Sequence, residues 1–134
     1  MKTTVKELRL ILTVDNLDEL IAFYRDTIGL ETSKEWREEE GNGIILDAGR
    51  ASLELIDAKH AARIDQIEVG QRVSGPVRLA LRVAEPIATA TETLLDGGAT
   101  SVAAPTTAPW SEVSRVKAPD GMQITLFATS TLAD

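Results

Sequence analysis

Leu8, Leu10, Leu12 and Val14 alternate with Arg9, Ile11 and Thr13. A period of two belongs to a β-strand, here with one aliphatic face and one mixed face. Leu17, Leu20, Ile21, Tyr24 and Ile28 follow at helical spacing and form one apolar stripe, which predicts an amphipathic helix. Tyr24 lies on that stripe and reads as packing. Asn16 precedes the helix with Glu19 three residues on, a variant of the capping box. Gly29 tolerates positive φ where the helix should stop. Residues 31–40, 43–48 and 51–57 read as three further strands, separated by the turn signals Gly41-Asn42-Gly43 and Gly49-Arg50.

The same order then returns. Residues 77–83 alternate again, and Pro86 suits a first helical position. Ile87, Ala90, Leu94 and Leu95 give a weaker stripe that ends at Gly97-Gly98. Residues 100–104, 113–117 and 122–128 read as strands, the last two joined by the turn Pro119-Asp120-Gly121. Residues 105–110 read as a loop, since Pro105 and Pro109 cannot donate to a central ladder. Arg9-Leu10-Ile11-Leu12-Thr13-Val14 matches Arg78-Leu79-Ala80-Leu81-Arg82-Val83 at an offset of 78 − 9 = 69, and Gly29 matches Gly98 at the same offset. Leu53-Glu54-Leu55-Ile56 corresponds to Ile124-Thr125-Leu126-Phe127.

The prediction is an α+β protein of two βαβββ modules, about 7–57 and 76–128, in a single domain over 1–134. Residues 58–75 carry Lys59, His60, Arg63, Asp65, Gln66, Glu68, Gln71 and Arg72, and end at Gly75-Pro76. They show little alternation and read as a polar connector with a short helical turn, His60 being a solvated surface residue. Duplication suggests a site where the halves meet.

Composition narrows the partners. The 134 residues carry a formal charge of −7 and no cysteine. Such an acidic chain repels phosphate backbones, and no basic stripe offsets this, so nucleic-acid binding is disfavoured. Without thiols there are no disulfides and no thiolate ligands. No apolar stretch approaches the ~20 residues that cross a bilayer, and no signal peptide is evident. The expectation is a soluble, cytoplasmic protein with no membrane partner.

Asn16-Leu17 followed by Ala22-Phe23-Tyr24 and closing on Ile28-Gly29-Leu30 resembles the opening of vicinal oxygen chelate proteins. That superfamily includes glyoxalase I, extradiol dioxygenases, methylmalonyl-CoA epimerase and the bleomycin and fosfomycin resistance proteins. Leu53-Glu54-Leu55 resembles its mid-chain motif, and Ala118-Pro119-Asp120-Gly121 its closing motif. The resemblance covers about Leu8 to Phe127. It implies a glyoxalase/bleomycin-resistance-type cup, each module curling its sheet into half of it, and commonly a homodimer.

In metal-using members the ligands stand on the first and last strand of each module. Here the resemblance places Arg9, Glu54, Arg78 and Thr125 there. Arginine offers no lone pair and threonine is a weak donor, so only Glu54 can ligate. The expectation is a cup without metal or other cofactor. Two roles stay open for the charged set. Glu54 accepts from one or both arginines in an ion-pair network, or the excess positive charge grips a small carboxylate, enolate or phosphate. Alternation adds Gln123 and Phe127 to the cup, together with Ile11, Thr13, Ser52, Ile56, Ala80 and Arg82. Trp36 and Trp110 border the cup in relatives, with packing as the alternative role for each and a lid for the Trp110 loop.

The functional expectation is a metal-free protein binding a small, partly apolar ligand through Arg9, Glu54, Arg78, Thr125, Trp110, Trp36, Phe127 and Gln123. Its alternatives are a lyase, isomerase or dioxygenase of the same superfamily, metal-dependent or using Glu54 as a base, and an interaction module with a filled cup. Burial would raise the Glu54 pKa and suit it as a base, whereas flanking arginines would lower it.

Overall fold

Strand alternation builds the fold outward from its centre. In the computed structural model, which describes residues 2–128, β1 (Val5–Val14) lies in mid-sheet. Met1 and residues 129–134, the ends of the expected domain, lie outside the described residues. β1 pairs in parallel with β4 (Ser52–Asp57) and antiparallel with β5 (Val77–Val83). With β2 (Glu31–Glu38), β3 (Gly41–Asp47), β6 (Thr100–Thr107), β7 (Glu112–Lys117) and β8 (Gln123–Phe127), one sheet forms in the order β2-β3-β4-β1-β5-β8-β7-β6.

The repeat is the symmetry of this sheet. Leu10 faces Leu79 across the β1–β5 seam, and 79 − 10 = 69 is the offset of the repeat. Arg9 faces Ala80 and Ile11 faces Arg78, two pairs that the repeat exchanges. Ile11 beside Glu54 in the first module becomes Ala80 beside Thr125 in the second.

Alternation also assigns the faces. On the outer face α1 (Leu17–Ile21) packs Leu17 and Ile21 with Ile44, Leu46, Leu53 and Leu55, and Tyr24 packs against this cluster. The helix widens into π-helical Ala22–Ile28 and ends at Gly29, whose φ of 95° lets its own N–H and that of Leu30 reach the Tyr24 carbonyl. The capping box differs from expectation. Asn16 Nδ2 donates to Glu19 Oε2 at 2.9 Å, and its side chain caps no backbone N–H. α3 (Ile87–Asp96) packs Ile87 and Ala90 with Val83 and Leu126; Pro86 is its cap, one residue before the expected position. β6 runs to Thr107, past the expected end. Its register shifts between Ala103 and Thr106, where Pro105 sits on an edge strand, and only residues 108–111 link it to β7.

The main correction concerns residues 58–75. They hold an eleven-residue helix, α2 (Ala58–Glu68), started by Asp57 Oδ1 accepting from the His60 N–H at 2.8 Å. α2 lies on the inner face and touches β1 and strands of both modules. Ala61 and Ile64 form one cluster with Ile11, Ile56 and Ala80. His60 is 8% exposed, not solvated, and burial lowers its pKa. A Cβ on Gly41 would overlap the His60 main chain, so only glycine lets the helix seat this closely.

Candidate functional site

The inner face is built from alternate residues of adjacent strands. Arg9 on β1, Glu54 on β4, Arg78 on β5 and Thr125 on β8 occupy the four positions singled out in the sequence. Glu54, Arg78 and Thr125 are buried, and Arg9 is partly so. Arg9 Nη1 lies 3.7 Å from Glu54 Oε1, Arg9 Nε lies 2.7 Å from Glu7 Oε2, and the Arg9 guanidinium stands 4.7 Å above the Phe127 ring. Arg78 Nη1 donates to Thr125 Oγ1 at 2.8 Å. The expected ion pair to Glu54 is thus the one from Arg9, while the hydrogen bond of Arg78 goes to Thr125.

This donor set does not fit a divalent cation. Two of the four groups are guanidiniums, and the hydroxyl of the third already accepts from one of them. A lone carboxylate is no cage. Among the described residues no group of three or more His, Cys, Asp or Glu side chains is placed to hold a metal.

Burial governs Glu54. Desolvation raises its pKa, and the attraction of Arg78 and then Arg9 offsets this only in part. The lowering effect of the arginines, weighed in the sequence, is the smaller one.

The sequence did not single out the other half of the site. Arg115 on β7 is fully buried and reaches toward α2. Its Nη1 donates to Asp65 Oδ1 and Gln123 Oε1, both at 3.0 Å, and its Nη2 to Glu68 Oε1 at 2.7 Å. The Asp65 carboxylate also accepts from Arg72, from the N–H groups of Val73 and Ser74, and from the Ser74 hydroxyl. Burial alone would raise its pKa; these donors outweigh that and hold it well below the usual carboxylate range.

A signal for these residues existed. Arg115 faces Thr125 as Ile45 faces Glu54, so an arginine replaces an isoleucine in the second module. His60, Ala61, Ile64, Asp65 and Glu68 recur at helical spacing, although three of them are polar.

The remaining expected residues gather around α2. Trp36, Trp110 and Phe127 pack against the cluster of Ile64 and Ile11. Trp110 Nε1 donates to Glu68 Oε2 at 2.9 Å, and Gln123 Nε2 to the Val73 carbonyl at 2.9 Å. A cleft of about 450 Å³ is lined by Glu7, Ser52 and Arg82 with Lys6, Asp47 and Arg50. Arg9 does not line it but adjoins it, since Glu7 accepts from both Arg9 and Ser52.

Comparison with known proteins agrees with this architecture. The Glyoxalase/Bleomycin resistance protein/Dioxygenase superfamily matches residues 7–126. No curated protein matches the chain. A solved structure described as an NAD-dependent benzaldehyde dehydrogenase from Legionella pneumophila is 13% identical, with a TM-score of 0.65 over 92% of this chain and 99% of its own. A superfamily member from Vibrio splendidus is 15% identical, with a TM-score of 0.61 over 91% and 97%. A variant of homoprotocatechuate 2,3-dioxygenase from B. fuscum is 18% identical, with a TM-score of 0.58 over 99% of this chain but 34% of that one. At such identities these are likenesses of fold. The match over residues 7–126 settles membership: the chain belongs to the glyoxalase/bleomycin resistance protein/dioxygenase superfamily.

Proposed function

We propose that this protein binds a small, partly apolar organic anion on the inner face of its cup without a metal ion. The observation that carries this reading is the buried Arg78, turned onto Thr125 at two of the four positions where a cation would need acceptors. Arg9 over Phe127 supplies a second cation against an apolar wall. The acidic residues of α2 support the same reading, because the arginine-rich face already draws carboxylates toward it. A mostly apolar wall with a few fixed polar groups is what small-molecule sites commonly present.

The test is a thermal-shift titration with benzoate and its neutral isostere benzamide. The reading expects benzoate to raise Tm by several degrees, benzamide to do little, and Arg9→Met to abolish the difference. Equal responses to the two compounds would reject it.

A second reading is favoured by one observation. The raised pKa of the buried Glu54 suits a general base in an isomerase or lyase of this superfamily. Proton exchange at an acidic carbon of a bound carbonyl compound, lost in Glu54→Gln, would distinguish it from simple binding.

The protein is further proposed to act as a cytoplasmic homodimer. Among the described residues no helix is long and apolar enough to cross a membrane. Leu8, Leu10 and Val77 on the outer face remain 36–39% exposed, an aliphatic row that a second copy would cover. Light scattering on the purified protein tests the dimer.

A further inference from the structure

We propose that Arg115 and Trp110 form a carboxylate subsite of the cup, and that the Glu68 side chain is its resting occupant. This deepens the ligand-binding reading above, on which it rests for the identity of what replaces Glu68.

The geometry separates two carboxylates of α2 that look alike in sequence. Asp65 is satisfied by the Val73–Ser74 turn, by Arg72 and by Arg115 Nη1, and so pins the helix. Glu68 is held differently. One oxygen accepts from Arg115 Nη2 at 2.7 Å, the other from Trp110 Nε1 at 2.9 Å. It is the last residue of α2, and Trp110 belongs to the short loop of residues 108–111, so both lie at the ends of their elements. Glu68 can therefore leave while Asp65 keeps the helix in place.

What Glu68 leaves behind is a site for an acceptor. Asp65 keeps Nη1 of the buried Arg115 paired, so the acceptor that Glu68 takes away is the one on Nη2, and an unpaired buried donor is costly. Unsatisfied donors add to the demand. Arg115 Nε and Arg63 Nε are buried without an acceptor, and the Arg63 guanidinium lies 5.9 Å from the Trp110 ring. Planar guanidinium nitrogens beside an indole N–H suit a carboxylate on a flat or short apolar body. The ligand class is a small aromatic or short-chain carboxylic acid.

Chemical rescue tests the subsite without the natural ligand. In Glu68→Ala the two donors lose their acceptor. Melting is compared in 100 mM sodium acetate and 100 mM sodium chloride. Acetate is expected to raise the Tm of the variant by about 3–6 °C over chloride, and that of the unmodified protein by under about 1 °C. An equal Tm of the variant in the two salts, or an equal acetate effect on both proteins, overturns the proposal. Should Glu68→Ala not fold, Glu68→Gln in a Trp36→Phe background leaves Trp110 as the sole tryptophan. Acrylamide quenching is then expected to rise about two-fold and to fall again with acetate; quenching indifferent to acetate overturns the proposal. Rescue in a protein that shows no benzoate preference would leave the subsite standing and reject the broader reading. Benzoate binding without rescue would do the reverse.

Discussion

Arg78 and Thr125 share a buried hydrogen bond of 2.8 Å between β5 and β8. It joins two of the four positions around which the superfamily's chemistry is arranged, and it spends a donor where a cation needs an acceptor. Arg78→Ala is expected to destabilise the protein by about 3–5 kcal/mol in urea unfolding, because Glu54 loses its strongest positive neighbour. A loss below about 1 kcal/mol would show that the guanidinium is not needed there.

Asp65 should dominate the acid side of the stability curve. Its folded pKa lies below its unfolded one. Its contribution is therefore complete above about pH 4 and is lost as pH falls through the folded value. Asp65→Asn is expected to cost about 3–5 kcal/mol at pH 7, since Arg115 Nη1, Arg72 and the Val73 and Ser74 N–H groups lose a buried carboxylate. That cost should shrink below about pH 4, as measured by urea unfolding across pH.

Glu54 should behave oppositely. Its folded pKa is raised, so its ionisation opposes folding and stability declines as pH climbs from the usual carboxylate range to the raised value. Glu54→Gln is expected to remove that decline, and to be neutral or stabilising by up to about 1 kcal/mol at pH 7. Greater stability loss in the variant at pH 7 than at pH 5 would contradict this.

Gly41 and Gly29 both have positive φ, at 129° and 95°, but only Gly41 is crowded. Gly41→Ala is expected to cost about 2–4 kcal/mol by driving α2 from its seat, and Gly29→Ala about 1 kcal/mol from backbone strain alone. Thermal melts of the two variants, with Trp36 emission as a local reporter, check the difference.

The sheet was legible because its determinants are local. Leu8, Leu10 and Leu12 announce their face by alternation, and the repeat carries the pairing of Leu10 with Leu79. The four inner-face positions could be located for the same reason, though their roles depend on contacts that the sequence does not state. α2 escaped because its buried face is polar. Asp65 and Glu68 read as surface residues until Arg115, roughly fifty positions away, is brought against them. A hydrophobic stripe is visible in one segment; a buried ion pair needs both partners in view. The π-helical end of α1 is likewise unmarked: Tyr24 still packs against the core, whereas Ile28 of the expected stripe is 53% exposed.

The central claim is that guanidinium groups take the place of cation ligands, so that the cup seeks an organic anion. Elemental analysis of protein purified without chelators tests this most directly, with Glu54→Ala analysed alongside. The account predicts metal far below one ion per chain in both proteins. One manganese, iron, nickel or zinc ion per chain, lost in Glu54→Ala, would contradict it.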